Sequence, residues 1–293
     1  MTMIQVVLFS ILAGAAYALD GVVYRYGTRV NLNSRQVFLP IAGLSALFFL
    51  LAARHESAPL WLFVLAGTAG LSQYVMIWTI QFALRRGPLT PMWCALMLCF
   101  VPVILYAAIF LGEPLRIPHI LALLAAAGAV AAAARSNTET SEAQGGRPRI
   151  GWGYIAILLL LVGLNGFSNI ALKLASAVGD GSVFAGAENI YMAVFFGTPA
   201  IAVALEFAIG KGWPKPSWTL LGTTVIGAGG CSVGMGLLSL VVTAPAALVY
   251  TAMNSASILT AGVLSAWWFR EKRSPAWYAM IVLSVAAIAL GNL

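Results

Sequence analysis

Tyr17, Asp20 and Tyr24 follow an i, i+3, i+7 spacing, so on a helix they share one face. A carboxylate between two phenols can meet a substrate cation or take up a proton. An ionisable side chain inside an apolar run costs roughly 2.5 to 3.5 kcal/mol on insertion scales, so it normally faces a bundle interior or a wet cavity. The competing role for Asp20 is that of an acid near a helix end, paired with Arg25 or Arg29. Further along, Asn165, Asn169 and Lys173 make an i, i+4, i+8 stripe in which amides could hydrogen-bond a substrate and the ammonium could meet a carboxylate. The same residues also serve as polar ties between helices, and a lysine at a helix end can simply snorkel. Tyr74, Trp78 and Gln81 share one face, as do Tyr250, Asn254 and Ser257. Aromatic faces of this kind hold organic cations or flat rings, each contact contributing about 0.5 to 2 kcal/mol, or pack as an interfacial belt.

The elements that must position these residues are set by composition. Of 293 residues, 61% are hydrophobic and 9% charged, and mean hydropathy is +0.93; a soluble domain carries about 25% charged residues. Ten apolar runs have lengths suited to a bilayer core: 4–22, 37–53, 60–82, 89–111, 117–134, 152–172, 190–209, 218–242, 245–268 and 276–292. Together they contain two formally charged residues, Asp20 and Glu206. The expected fold is an all-α integral membrane protein of ten transmembrane helices. "AYA" at Ala16–Ala18 resembles a signal-peptidase site, but no positive n-region precedes it, so the first run is read as a helix.

Residues 135–150 form the one long polar stretch and are expected to be a linker between a first repeat, 1–134, and a second, 151–293. A shift of 158 lays Glu113 on Glu271, and a shift of 149 lays Gly14 on Gly163 and Asp20 on Asn169. Five spans per half is an odd number, so the halves enter the membrane from opposite sides as inverted five-helix repeats. Glu113 precedes Pro114, which suits a helix first turn, so its carboxylate is expected at the N-terminus of the helix that follows; Glu271 would do the same in the second half. Glu188 reads as a helix-start anchor and Glu206 as a partner for Lys211 or Lys215. Pro91, Pro102 and Pro199 can bend helices and free carbonyls. Gly227, Gly230, Gly234 and Gly236 give the eighth span a close-packing face.

The ten-span plan, "FLGEPL" at Phe110–Leu115 and "FALRRGPLTPMWCALMLCFVPV" at Phe82–Val103 resemble the drug/metabolite transporter superfamily in its EamA-like ten-helix branch. That resemblance covers nearly the whole chain outside the linker. It implies an inverted-repeat carrier, from a branch that includes exporters and importers of amino acids, amines and other metabolites. "WFREKR", Trp268–Arg273, departs from the pattern by lacking Gly before the Glu and by its extra basic residues.

Thirteen of the sixteen Lys and Arg fall on loops of one side and three on the other. The positive-inside rule then puts the linker in the cytoplasm and both termini outside an inner membrane. The net charge of +7 is therefore a topology signal, and no nucleic-acid motif accompanies it. Cys94, Cys99 and Cys231 lack metal spacing, and His55 and His119 lie in no metal or protease motif, so neither a cofactor nor an enzyme is expected.

The expected function is alternating-access transport of a small organic metabolite by a functional monomer, with protons as candidate coupling ion. An amino acid or related amphipathic compound, with Asp20 for the amine and Lys173 for the carboxylate, is the first expectation. A carrier of organic or quaternary ammonium cations or hydrophobic drugs is the alternative.

Overall fold

The computed structural model describes residues 1–30, 32–86, 92, 95–142, 152–178, 182–210, 213, 215–268 and 275–291. Among them there are helices and no strand: α1 Met3–Arg29, α2 Ser34–Ala52, α3 Leu60–Arg86, α4 Phe100–Phe110, α5 Ile117–Glu142, α6 Trp152–Ala177, a single turn at Ser182–Ala185, α7 Glu188–Gly210, α8 Trp218–Val241, α9 Ala246–Trp268 and α10 Pro275–Gly291. Seven of these described helices, α1 to α3 and α6 to α9, are long and apolar enough to cross a membrane. The apolar parts of α4, α5 and α10 are shorter. Leu8, Leu12, Leu44, Phe48, Leu205 and Ile209 are exposed on outer helix faces, as expected where lipid replaces water.

Helix limits follow from local chemistry. Asn33 caps α2 reciprocally: its Oδ1 accepts from Arg35 N at 3.1 Å, and Gln36 Oε1 accepts from Asn33 N at 3.0 Å. Ser217 Oγ accepts from Leu220 N at 3.1 Å to start α8. Pro102 has no N–H to offer Leu98, so the chain turns there, with Val101 N on Leu98 O at 3.1 Å, and α4 begins at Phe100. Gly112 ends the same helix in the left-handed region (φ 69°), where a Cβ would be strained. That turn brings Glu113 N back to Ala107 O at 3.1 Å. α5 runs on through 135–142, into the stretch expected to be linker. Glu271, Pro91, Cys94, Lys211 and the rest of the linker lie outside the described residues.

Packing crosses the boundary between the halves. α1 lies against α8 and α9, α6 against α3 and α4, α2 against α7 and α8, α3 against α7, and α5 against α10. α1 and α8 run antiparallel at glycine contact: a Cβ on Gly230 would fall 2.7 Å from Ala16 O, and one on Gly234 3.1 Å from the Tyr17 ring. Gly14 is pressed on the Met253 carbonyl of α9, and a Cβ on Gly166 would fall 2.6 Å from Pro102 of α4. Of the glycines expected on the eighth span, Gly230 and Gly234 admit the α1 backbone, Gly227 faces Ile41 of α2, and Gly236 meets nothing within 4 Å.

Candidate functional site

The inward stripe of α1 runs Val6, Ser10, Ala13, Tyr17, Asp20, Tyr24. Its first three residues are buried, whereas the last three are partly exposed although they face the bundle and not the outer surface. Partly exposed side chains on an inward stripe line an internal hollow. α6 and α9 give the same gradient. Every residue of α9 from Ala246 to Ile258 is buried, and Leu259 to Gly262 are partly open. On α6, Ala171 to Lys173 are buried near the C-terminus, while Val162, Asn165 and Asn169 are partly open. The bundle is shut at the end that carries the N-terminus of α1 and the α8–α9 turn, and it loosens toward the other.

Close packing of α1 on α8 brings Cys231 Sγ beside the Asp20 carboxyl, with Tyr17 and Tyr24 as near neighbours. Asp20 Oδ1 is buried and has no hydrogen-bond partner among the described residues. An unmet buried acceptor costs about 1 to 3 kcal/mol, and more when charged, so this oxygen is a feature the fold must offset elsewhere. The side chains of Arg25 and Arg29, the expected structural partners, lie outside the described part. Tyr17 neighbours Tyr250 of α9 and Cys99, which precedes α4. Tyr250 OH donates to Asn169 O at 3.2 Å. Tyr17, Asp20, Asn169 and Tyr250 therefore border one region, joined by Cys99 and Cys231, of which the sequence said only that they lack metal spacing.

The amides are turned to main chain. Asn165 Nδ2 donates at 3.0 Å to Leu96 O, a carbonyl near the break before α4. Asn169 Nδ2 donates to Asn165 O at 2.8 Å, and Asn254 Nδ2 to Tyr250 O at 2.9 Å.

Lys173 lies at the shut end, with its side chain 3% exposed. Its ammonium meets Glu113 Oε1 at 2.7 Å, Ala244 O at 2.6 Å and Val242 O at 3.0 Å, which uses all three of its donors. Glu113 Oε2 in turn accepts from Ala246 N at 2.6 Å. The lysine thus sits on the C-cap carbonyl of α8 and a carbonyl of the turn after it, and the glutamate on the N-terminal N–H of α9, each at the helix end whose dipole favours its charge. The helix-end role expected of Glu113 appears at α9, 133 residues away in sequence, and not at its own following helix. Glu56 does likewise for α7, accepting from Ile190 N at 3.0 Å and from the Asn189 amide.

Tyr74 and Trp78 belong to a different cluster. Both donate to Glu206 Oε1, Trp78 Nε1 at 2.6 Å. Arg35 Nη1 meets Glu206 Oε2 at 2.9 Å, with its guanidinium 4.4 Å from the Trp78 ring centroid. Glu206 was expected to pair with Lys211 or Lys215; among the described residues, which leave out Lys211, it is held by Arg35 in the first turn of α2 and by Tyr74 and Trp78 of α3. Nothing in local spacing links Arg35 to Glu206. The only sequence signal was that Glu206 is one of two charges inside the apolar runs. Among the described residues no group of His, Cys, Asp and Glu could hold a metal ion.

No protein-family model and no curated protein matches the chain. A solved structure described as "Crystal structure of protein" matches with a TM-score of 0.72 at 16% sequence identity, covering 97% of this chain and 94% of that one. At that identity the likeness is one of fold.

Proposed function

We propose that the chain is a secondary transporter of the drug/metabolite type that moves a small organic amine or other organic cation across the inner membrane. The observation that carries this reading is Asp20, whose buried oxygen is unmatched beside an internal hollow lined by Tyr17 and Tyr24, with Tyr250 packed behind Tyr17. A cationic ligand would supply the missing charge, and the phenol rings would supply π-faces. A proton on the same carboxyl is the candidate coupling ion.

Ten spans in two inverted halves suit the helix pairings, since α1 with α8 and α9 is matched by α6 with α3 and α4 when the halves are exchanged. The Lys and Arg bias supports termini outside and the linker in the cytoplasm. One chain supplies the whole path, so the working unit is a monomer, without cofactor or catalytic step.

An amino acid would need a second charge for its carboxylate. Lys173, the candidate for that part, is occupied by Glu113, Val242 and Ala244, which moves the weight from amino acid to cation. The test is counterflow in proteoliposomes loaded with pooled amino acids, amines and organic cations, read by mass spectrometry. Cation exchange that disappears in Asp20→Asn is the expected result. Exchange of amino acids with cations inert would overturn the cation assignment and return Lys173 to the site; silence across the panel would count against transport of either class.

A further inference from the structure

We infer that the junction of α6, α8 and α9 is a carboxylate-binding cradle belonging to the second half, occupied in this state by Glu113, and that withdrawal of Glu113 opens the shut end of the bundle. The cradle consists of the Lys173 ammonium and the Ala246 N–H. Lys173 is also tied to Val242 O and Ala244 O, both within the second half. Ser176 Oγ further ties α6 to the junction by donating to Val242 O at 3.4 Å. Removing Glu113 therefore leaves an ammonium still held by two carbonyls, beside a helix N-terminus with an unmatched donor. That is a site for a small carboxylate.

Glu113 is the partner suited to leave. It comes from the first half, on the turn made by Gly112, and its side chain is 21% exposed, against 3% for Lys173. Water can therefore take over the carboxylate as it parts, whereas the lysine has no such exchange. The parting line then runs between Glu113 and Lys173. Glu56 fastens α7 at the same end, but α7 packs on α2 and α3, while α9 packs on α1 and sets Tyr250 beside Tyr17, which borders the hollow. Freeing the N-terminus of α9 is thus the step that exposes the hollow from this side.

Ala247, buried in the first turn of α9, serves as reporter when changed to Cys and labelled with a membrane-impermeant maleimide in proteoliposomes. This readout needs no transported substrate, so it stands apart from the transport reading. Glu113→Ala is expected to speed labelling about tenfold or more, the factor that losing a charge-assisted hydrogen bond implies. Sodium acetate should slow it again by refilling the cradle, and methylammonium chloride should not. If Glu113→Ala does not fold, Glu113→Gln is expected to give faster labelling that ignores acetate, because the amide still fills the space. Unchanged labelling in a folded variant, or an equal response of Glu113→Ala to acetate and to methylammonium, would overturn the inference.

Discussion

Glu113 and Lys173 meet at 2.7 Å across the boundary between the two halves, with the glutamate on the first N–H of α9 and the lysine on the carbonyls of Val242, the C-cap of α8, and Ala244 in the turn after it. The pair therefore has a direction. Lys173→Met is expected to lower stability by about 3 kcal/mol, because it uncaps α8 and strands a partly buried carboxylate. The double exchange Glu113→Lys with Lys173→Glu keeps the opposite charges but turns each against the wrong helix end. It should melt below the parent protein in detergent, at a loss of the roughly 0.3 to 2 kcal/mol that helix-end charges contribute. A double variant restored to the parent melting temperature would mean that mutual attraction alone holds the junction, with no contribution from the helix ends.

Asp20 presents the reverse case. Its Oδ1 has no partner among the described residues, and its contact with the Cys231 thiol is one that an amide oxygen can keep, so removing the charge relieves a desolvation cost at little loss of hydrogen bonding. Asp20→Asn is expected to leave the melting temperature unchanged or raised while abolishing cation counterflow. A variant that melts well below the parent would show that the carboxylate is tied into the fold, and the transport reading would lose its main support.

These two acids also show what the sequence could and could not say. The face shared by Tyr17, Asp20 and Tyr24 follows from helical period alone, and in the structure that face turns inward. The glycines of α8 could be read as a packing face because a missing Cβ has one main structural use in an apolar helix. Glu113 was legible as a helix-end carboxylate, but not which helix it would serve. Orphan N–H groups occur at every helix start, and the choice of α9 over the helix that follows depends on a turn set by Gly112 and on packing between the halves. The same limit applies to Tyr74 and Trp78. Their common face was plain from spacing, whereas its neighbour, Glu206 rather than Asp20, is fixed by how α3 lies on α7.

The α1–α8 contact gives a paired test on adjacent residues. A Cβ at position 230 would fall 2.7 Å from Ala16 O, while one at position 229 would meet nothing within 4 Å. Gly230→Ala should therefore cost about 1 to 3 kcal/mol, as overpacking does. Gly229→Ala should be neutral or slightly stabilising, since alanine is the better helix former. The difference in melting temperature between the two variants measures the closeness of α1. Equal values would mean that α1 does not lie against this face.

Trp78 separates the two clusters by function. Its indole N–H donates to Glu206 at 2.6 Å and its ring lies under the Arg35 guanidinium, so Trp78→Phe removes one charge-assisted hydrogen bond and weakens a cation–π contact. The expected loss is about 1.5 to 3 kcal/mol of stability from the hydrogen bond. Because Glu206 and Arg35 hold the indole, the apparent KM for a cation bound at Asp20 should stay within about twofold, less than the tenfold that 1.4 kcal/mol of binding would make. Counterflow measured over a range of substrate concentrations checks this against the melting curve of the same variant. A large rise in KM with unchanged stability would place Trp78 in the wall of the hollow, and the division between the Asp20 region and the Glu206 cluster would have to be redrawn.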